Sequence, residues 1–336
     1  MPLLEVKNLS VSFDTPHGEI HAVRDVSFSL GAGEILAVVG ESGCGKSVLC
    51  KSITRLLPDT ARIKSGSVVI DGVQVSSLPE RRVRKLRGRL FSMVFQDPMS
   101  ALNPGLTVGA QLAGAVRVHS PRMKRGEVRA RVLELLALAG LDRAGELCAL
   151  YPHNLSGGQR QRVVMAIALS SRPKILFADE PTTALDVSLQ AQILDLLREI
   201  RQNPGTATVL VSHDLGAVAR AADRVAVMYA GKIVETGTAE EIFYDPRHPY
   251  TWSLLLSLPS RARPGQELYT LPGIPPALIG PPPGDAFAPR NPWALEIDYE
   301  RQPPMFRVTD THFAATWLLD PRAPKIMPPV GGGGRV

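Results

Sequence analysis

The stretch Ile35-Leu-Ala-Val-Val39, followed by Gly40-Glu-Ser-Gly-Cys-Gly-Lys-Ser47, decides the fold that we expect for this chain. Its first part is a short apolar run, which is typical of a strand buried on both faces of a parallel sheet. Its second part matches G-x-x-x-x-G-K-[ST], and we predict that a helix follows through residues 48–57. Glycines let such a loop curl so that its N–H groups face a phosphate, and the helix N-terminus adds positive potential. We therefore predict a phosphate-binding loop.

The side chains of this loop suit a nucleotide and a magnesium ion. Lys46 is predicted to reach the β- and γ-phosphates, and the Ser47 hydroxyl is predicted to bind Mg²⁺. The other candidate nucleotide-binding residues of the loop are Gly40, Ser42, Gly43, Cys44 and Gly45. The alternative is a simple glycine turn with a surface lysine, which the flanking strand and helix disfavour.

A second candidate site follows the apolar run Lys174-Ile-Leu-Phe-Ala-Asp179-Glu180. In open α/β sheets, ligands bind at the carboxyl ends of the strands, and this run brings two carboxylates to such an end. Asp179 is predicted to hold Mg²⁺, and Glu180 to polarise a water for in-line attack on the γ-phosphorus. Taken alone, two acidic residues there would indicate only a solvated strand end.

Periodicity along the chain predicts an α/β protein. Residues 100–170 have a helical pattern, in which Val128, Val132, Leu135 and Leu136 form one apolar stripe and Gly140 is placed to end the helix. Strands alternate with helices after this region, which favours parallel pairing with helices packed on the sheet. The expected strands include residues 174–178, 207–212 and 225–229.

The composition changes after residue 258. Eight prolines fall between Pro259 and Pro283, a density that excludes a regular helix or a central strand. We predict a linker over residues 259–283, followed by a small C-terminal extension over residues 284–336.

The overall composition is that of a folded protein with an apolar core. The chain has 336 residues, of which 44% are hydrophobic and 21% charged, and this excludes a disordered chain. No apolar run approaches the about 18 residues of a membrane-spanning helix. The N-terminus lacks a basic region followed by an apolar run, so we expect no secretory signal. Three scattered cysteines favour a reducing cytoplasm, and a net charge of +6 selects no partner.

The sequence Asn154-Leu-Ser-Gly-Gly-Gln159 resembles the signature motif of the ATP-binding-cassette (ABC) family. A structural alternative is an N-cap and turn before a helix at residues 161–170. The resemblance implies that Ser156, Gly157, Gly158 and Gln159 bind the γ-phosphate from the far side. In this family two cassettes pair head to tail, and each signature faces the phosphate loop of the other cassette.

Other family elements occur in the same order. Gln96, in Phe95-Gln-Asp-Pro98, resembles the Q-loop glutamine that touches Mg²⁺ and senses the γ-phosphate. Asp186, in Ala184-Leu-Asp186, resembles the D-loop aspartate, and His213 resembles the switch histidine. Phe13 lies where the family places an aromatic residue that stacks on adenine, although a core position in a strand remains an equal alternative.

The resemblance implies a P-loop ABC-type ATPase domain over residues 1–258, with a β-rich subdomain, a RecA-like core sheet and a helical subdomain at roughly residues 100–170. Four stretches further resemble the oligopeptide/dipeptide/nickel importer branch. They are Gln96-Asp-Pro-Met-Ser-Ala-Leu-Asn-Pro104, Pro246-Arg-His-Pro-Tyr-Thr251, Leu271-Pro-Gly273 and Phe287-Ala-Pro-Arg290.

The resemblance to this branch implies an ATPase subunit of a peptide importer, with ATP and Mg²⁺ as cofactors. The implied partners are a second ABC ATPase subunit, which is a paralogue or a second copy, two transmembrane permease subunits and, indirectly, a solute-binding protein. We expect a peripheral location on the cytoplasmic face of the inner membrane and no nucleic acid partner. The alternatives are a nickel or other small-solute importer and an ATP-sensing regulator without transport.

One departure from the branch concerns its C-terminal region. The branch often carries four cysteines there, which bind an iron–sulfur cluster. Here Asp285, Asn291 and, further on, Asp298 stand at matching positions, and no cysteine follows Cys148. Without thiolate ligands, we expect no iron–sulfur cluster in this extension.

Overall fold

The structure is a computed structural model that describes residues 1–97, 101–183, 185–202, 205–259 and 269–330. Residues 98–100 of the stretch that follows Gln96, and Ala184 beside the D-loop aspartate, lie outside the described residues. The same holds for residues 260–268 of the predicted linker and for the end of the extension.

Strands occur at both ends of the described chain and through its middle. They are β1 (Leu4–Thr15), β2 (Gly18–Leu30), β3 (Ile35–Val39), β4 (Ala61–Ile70), β5 (Val73–Gln74), β6 (Phe91–Val94), β7 (Ile175–Asp179), β8 (Ala207–Ser212), β9 (Arg224–Tyr229), β10 (Lys232–Thr238), β11 (Phe306–Arg307) and β12 (Phe313–Ala314).

Helices fill most of the intervals between these strands. They are α1 (Lys46–Ile53), α2 (Glu80–Leu86), α3 (Val108–His119), α4 (Arg125–Leu138), α5 (Ala144–Leu147), α6 (Gly157–Leu169), α7 (Val187–Gln202), α8 (Leu215–Ala221), α9 (Ala239–Tyr244), α10 (Pro249–Leu256) and α11 (Glu296–Glu300).

The chain divides into two compact units. The first unit comprises Met1–Leu4, Leu30–Ile35 and Ile70–Ser212. The second unit comprises Glu5–Ser29, Leu36–Val69 and His213–Val336.

The first unit contains a parallel sheet and a group of helices. Strands β6, β7 and β8 pair in parallel, with Phe91 beside Ile175 and Ala178 beside Leu210. Every residue of β7 and β8 is buried, which explains their continuous apolar sequence. Helices α3, α4 and α6 pack against one another, in agreement with the helical pattern predicted for this region.

The predicted apolar stripe and helix end are confirmed in α4. Val128, Val132, Leu135 and Leu136 are each at most 3% exposed. Gly140 has φ 65°, and its N–H donates to the carbonyl of Ala137 while Leu141 N–H donates to Leu136. This is the Schellman arrangement, in which a left-handed residue lets the chain turn back and satisfy the last carbonyls of the helix.

The helix that follows the phosphate loop ends earlier than predicted, at Ile53 rather than near residue 57. Arg55 adopts φ 57°, its N–H donates to Ser52 O, and Leu56 N–H donates to Lys51 O. The helix therefore ends in the same Schellman arrangement as α4. The prediction was wrong because an arginine, rather than a glycine, takes the left-handed position, and composition does not mark such an end.

The second unit combines a mixed sheet with a second, smaller one. Strands β3 and β9 are parallel, β9 and β10 are antiparallel, and β12 and β11 continue the order beyond β10. Strands β2, β1 and β4 lie side by side in another sheet. The core of this unit includes Tyr229 from β9, Tyr250 from α10 and Phe287 from the C-terminal region.

The described part of the Pro-rich stretch, residues 269–283, packs on this unit without forming a regular helix. Leu278 is 8% exposed, its carbonyl accepts a hydrogen bond from His21 N–H, and Ile279 forms an isolated bridge with Ile20 of β2. The domain boundaries at residues 258 and 283 stay predictions.

Candidate nucleotide-binding and catalytic site

Close packing of the backbone shapes the phosphate loop at residues 40–47. Gly40 has φ 152° and Gly45 has φ 106°. A Cβ atom on Gly40 would lie 2.1 Å from Met228 O, and one on Gly45 would lie 2.2 Å from Ala22 O. Only glycine allows this approach, because any Cβ would overlap a carbonyl oxygen. The curled path of the loop is therefore built into the fold of the second unit.

Lys46 is held inside this curl. Lys46 is 4% exposed, and its Nζ donates to the carbonyl oxygens of Gly40 and Glu41, each at 2.8 Å. Cys44 lies beside it, with Sγ 3.7 Å from Nζ, and burial raises the pKa of the Cys44 thiol. A raised thiol pKa lowers the thiolate fraction, which makes Cys44 a poor nucleophile.

The loop as a whole fits a phosphate group. Ser42 and Gly43 are exposed at its tip, and no atom of the described residues lies within 4 Å of a Cβ built on Gly43. Lys46 is the first residue of α1, and Ser47 follows in the first turn of that helix. A curled backbone, a buried lysine and a helix N-terminus all favour negative charge.

The acidic candidates lie at the carboxyl end of β7 in the first unit. Asp179 is the last residue of the strand and is 2% exposed. Glu180 follows with φ 49°, and its N–H donates to Val211 O at 3.0 Å. A left-handed conformation costs a residue other than glycine about 1–2 kcal/mol, and such conformations cluster at functional sites.

Gln96 and Thr183 donate hydrogen bonds to the carboxylate of Glu180. Gln96 Nε2 lies 3.0 Å from Glu180 Oε2, and Thr183 Oγ1 donates to the same oxygen at 2.9 Å. Gln96 reaches this position because β6, which ends two residues before it, pairs in parallel with β7. The structure thus brings together Gln96 and Glu180, which the sequence analysis predicted as members of one site.

The signature residues form the N-terminus of α6. Ser156 is the N-cap: its Oγ accepts from Gln159 N–H at 3.2 Å, and Gln159 Oε1 accepts from Ser156 N–H at 2.9 Å. This capping box is the structural alternative considered for the motif. Ser156 and Gly157 are exposed, whereas Gly158 is buried and packs against Leu189 of α7. The cap therefore presents an exposed hydroxyl at the positive end of a helix.

The remaining predicted residues occupy element ends. Asp186 Oδ1 accepts from Leu189 N–H at 2.9 Å and so stabilises the start of α7. His213 is exposed between β8 and α8, and Phe13 is partly buried near the end of β1. Partial burial suits both alternatives for Phe13, so its contact with adenine stays a prediction.

The predicted site residues divide between the two units. Gln96, Asp179, Glu180, Asp186 and the signature residues belong to the first unit. Phe13, the phosphate loop and His213 belong to the second.

The sequence analysis missed several residues that shape these sites. Thr183 holds Glu180, as described above. In the second unit, Tyr250 Oη accepts from Glu41 N–H at 2.7 Å, and Arg290 forms an ion pair with the Glu41 carboxylate. Tyr250 and Arg290 lie in stretches that indicated the importer branch, but no sequence pattern connects them with a loop more than 200 residues away.

Asp285, Asn291 and Asp298, which the sequence analysis matched to cysteine positions of the importer branch, accept hydrogen bonds from nearby backbone groups. Asp285 Oδ1 accepts from Phe287 N–H at 3.0 Å, Asn291 Oδ1 from Trp293 N–H at 3.0 Å and Asp298 Oδ2 from Leu295 N–H at 2.7 Å. Local Asx turns and a helix cap thus order this part of the extension.

Two family profiles match the chain. The profile described as ABC transporter matches residues 23–183, and the profile described as oligopeptide/dipeptide transporter, C-terminal region, matches residues 234–297. The second match covers the region in which Tyr250 and Arg290 lie.

Curated relatives match almost the full length. The chain is 50% identical to the oligopeptide transport ATP-binding protein OppD of Bacillus subtilis, with 97% of this chain and 92% of that protein covered. It is 51% identical to the dipeptide transport ATP-binding protein DppD of Lactococcus lactis subsp. cremoris, with 97% and 93% covered.

Solved structures share the fold. A dimeric bacterial ABC transporter cassette aligns with a TM-score of 0.64 at 30% identity, over 70% of this chain and 98% of that one. A dimeric ATP-binding cassette in a post-hydrolysis state, bound to ADP and Pi, aligns with a TM-score of 0.64 at 29% identity, with the same coverage. Within the described ranges, no helix combines the length and apolarity needed to span a membrane. The chain belongs to the ABC transporter family, as an ABC-type ATPase that carries the C-terminal region of the oligopeptide/dipeptide transporters.

Proposed function

We propose that this chain is the ATP-hydrolysing subunit of a peptide importer and acts at the cytoplasmic face of the inner membrane. It works with a second ABC ATPase subunit and two transmembrane permease subunits, and a solute-binding protein delivers the peptide. The observation that carries this proposal is the near-full-length similarity, at about half identity, to ATP-binding proteins of oligopeptide and dipeptide transport.

Each predicted site residue has a role in the proposed chemistry. Lys46 and the N–H groups of the phosphate loop bind the β- and γ-phosphates of ATP. Glu180, held by Gln96 and Thr183, orients and polarises the attacking water, and His213 acts beside the γ-phosphate. Ser156 of the partner cassette binds the γ-phosphate from the opposite side, so hydrolysis requires a closed pair of cassettes.

Magnesium suits the donor set of this chain. Ser47 offers a hydroxyl, Asp179 a carboxylate and Gln96 an amide oxygen, and oxygen donors of these kinds are the ligands that Mg²⁺ prefers. When bound, the ion would neutralise charge on the phosphates. In the structure, Gln96 Nε2 donates a hydrogen bond to Glu180 Oε2.

ATP hydrolysis would be coupled to transport through differential affinity. A ligand shifts a conformational equilibrium only as far as its affinity differs between the two states. ATP contacts both half-sites in a closed pair and one half-site in an open pair. Binding therefore favours closure, and hydrolysis removes that preference.

The test is peptide uptake by the assembled transporter in lipid vesicles. With the wild-type chain we expect ATP-dependent accumulation of a short peptide. Glu180→Gln should keep ATP binding but abolish phosphate release and uptake. Glu134→Gln is the matched control, because Glu134 is an exposed residue of α4 that pairs with Arg131.

Three outcomes would contradict the proposal. ATP binding without turnover in the wild-type assembly would indicate a regulator. Uptake of nickel but not of peptides would indicate the other solute class. Unchanged turnover in Glu180→Gln would remove Glu180 from the catalytic role.

A further inference from the structure

An ion pair joins the C-terminal region of the second unit to the phosphate loop. Arg290 Nη1 lies 2.6 Å from Glu41 Oε2, and Nη2 lies 3.0 Å from Glu41 Oε1. Glu41 is the second residue of the loop, directly after Gly40. Two parallel N–H···O bonds between a guanidinium and a carboxylate fix both partners in direction as well as in distance.

Arg290 is itself held firmly. It is 7% exposed, its Nε donates to Pro272 O at 2.8 Å, and Nη1 also donates to Tyr229 Oη at 3.2 Å. The guanidinium carbon lies 5.8 Å from the centre of the Tyr229 ring. Because its position is fixed by these groups, Arg290 can impose a position on Glu41 rather than follow it.

Glu41 is also fixed through its backbone. Its N–H donates to Tyr250 Oη at 2.7 Å, and its carbonyl accepts from Lys46 Nζ at 2.8 Å. Tyr250 packs against Tyr229 and Phe287, with ring centres 4.6 and 5.3 Å away. One aromatic cluster therefore supports the contacts that Arg290 and Tyr250 make with Glu41.

We propose that Arg290 is a positioning residue for ATP binding: through Glu41, the C-terminal region holds the phosphate loop and Lys46 in the conformation that accepts a triphosphate. The inference rests on the proposed function only in taking ATP as the ligand. Arg290 itself does not touch the nucleotide. Its role is to keep the binding-competent conformation of the loop populated.

The proposal predicts an effect on affinity rather than on chemistry. The apparent Kd of a ligand rises in inverse proportion to the populated fraction of the competent state. If the loop without the Arg290–Glu41 ion pair adopts the binding-competent conformation for about a tenth of the time, the Kd for ATP rises about tenfold. Turnover at saturating ATP stays within about twofold of wild type, because Glu180 and its two donors are unchanged.

The experiment compares variants of the full-length chain. Affinity for MgATP is measured by calorimetric titration, and KM and kcat are measured in the assembled transporter. We expect Arg290→Met to raise Kd and KM about tenfold with kcat nearly unchanged. Arg290→Lys should give an intermediate affinity, because it restores the charge but not the planar pair of donors.

Arg322→Met is the matched control. Arg322 also belongs to the C-terminal region and binds one carboxylate, that of Asp320, through Nε and Nη2. Its side chain is 84% exposed, and its partner is not part of the loop. The affinity of this variant for ATP should equal that of wild type.

Glu41→Gln keeps the test decisive if Arg290→Met does not fold. It removes the charge of the partner but keeps the shape of its side chain, and we expect a rise in KM similar to that of Arg290→Lys. A double variant, Arg290→Lys with Glu41→Gln, should bind ATP no more weakly than the weaker single variant, because both changes remove the same contact.

The two proposals fail in different ways. Wild-type KM in folded Arg290→Lys and Glu41→Gln, in an assembly whose wild type hydrolyses ATP, overturns the role of Arg290 and leaves the proposed function intact. A fall in kcat with an unchanged KM overturns it as well. Absence of ATP hydrolysis in the wild-type assembly overturns the proposed function instead.

Discussion

Gln96 Nε2 donates a hydrogen bond to Glu180 Oε2, with 3.0 Å between the two atoms, although the residues are 84 positions apart in the sequence. Thr183 donates to the same oxygen. The carboxylate that we propose to polarise the attacking water is therefore oriented from two directions within the first unit. Because the carboxylate is oriented before the substrate binds, no free energy is needed to orient it during the reaction.

Removing either donor should slow the chemical step. A hydrogen bond to a charged group contributes about 1.5–3 kcal/mol, so Gln96→Ala and Thr183→Val should each lower kcat about tenfold or more. Steady-state ATPase kinetics of the assembled transporter provide the measurement. Gln74→Ala, which changes an exposed glutamine of β5, is the control. Wild-type kcat in Thr183→Val would show that the contact does not contribute to catalysis.

Ser156 combines a structural and a proposed functional role, and a second N-cap separates them. Thr107 caps α3 through Ala110 N–H at 3.3 Å, as Ser156 caps α6. Ser156→Ala and Thr107→Ala should each lower the free energy of unfolding by about 1 kcal/mol in chemical denaturation. Only Ser156→Ala should also impair ATP turnover by paired cassettes. Equal turnover in the two variants would restrict Ser156 to its role as a cap.

The glycines of the phosphate loop should differ in their tolerance of a methyl group. Gly45→Ala places a Cβ 2.2 Å from a backbone oxygen. We therefore expect loss of ATP binding and a free energy of unfolding that is lower by about 2 kcal/mol or more. The Cβ of Gly43→Ala meets no atom of the described part of the chain within 4 Å. Its φ of 80° still carries strain, but we expect a milder effect than that of Gly45→Ala.

Gly126→Ala is the control for these loop variants. Gly126 lies in the first turn of α4, and none of the residues that the structure describes comes within 4 Å of a Cβ built on it. Alanine there should stabilise the helix by about 0.5 kcal/mol. Thermal unfolding measures the stability of all three variants, and titration with ATP measures their affinity for the nucleotide. Equal affinities in Gly45→Ala and Gly43→Ala would contradict the steric argument.

Asp285 should make stability depend on pH. Burial raises the pKa of its carboxyl from 3.8 to about 6, against the opposing effects of Phe287 N–H and of nearby Lys232 and Arg24. The folded chain then binds more protons than the unfolded chain between these two values, so this group lowers stability as pH rises from about 4 to about 6. The loss amounts to about 1–3 kcal/mol.

Asp285→Asn should remove this loss, since an amide oxygen can still accept from Phe287 N–H. We expect a higher melting temperature than wild type at pH 8 and little difference at pH 4. Asp310→Asn, at a side chain that is 90% exposed, should show no such pattern. An equal melting temperature of Asp285→Asn and wild type at pH 8 would contradict the raised pKa.

Some features of the fold could be predicted because they are encoded locally. The apolar runs of β3, β7 and β8, the stripe of α4 and the glycine pattern of the phosphate loop each lie within a few consecutive residues. The end of α1 could not be predicted, because Arg55 takes the left-handed conformation that glycine usually adopts at the end of a helix. The roles of Thr183 and Tyr250 also had no local signal.

The sequence by itself determined the type of site, since a phosphate loop, an acidic strand end and a signature motif require particular residue types at short spacings. Only the tertiary structure decided which side chains hold that chemistry in place. Gln96 reaches Glu180 because two distant strands pair, and Arg290 reaches Glu41 across 249 residues because one core joins the C-terminal region to β9. Such contacts arise from packing between segments remote in the chain, and no periodicity along the chain records them.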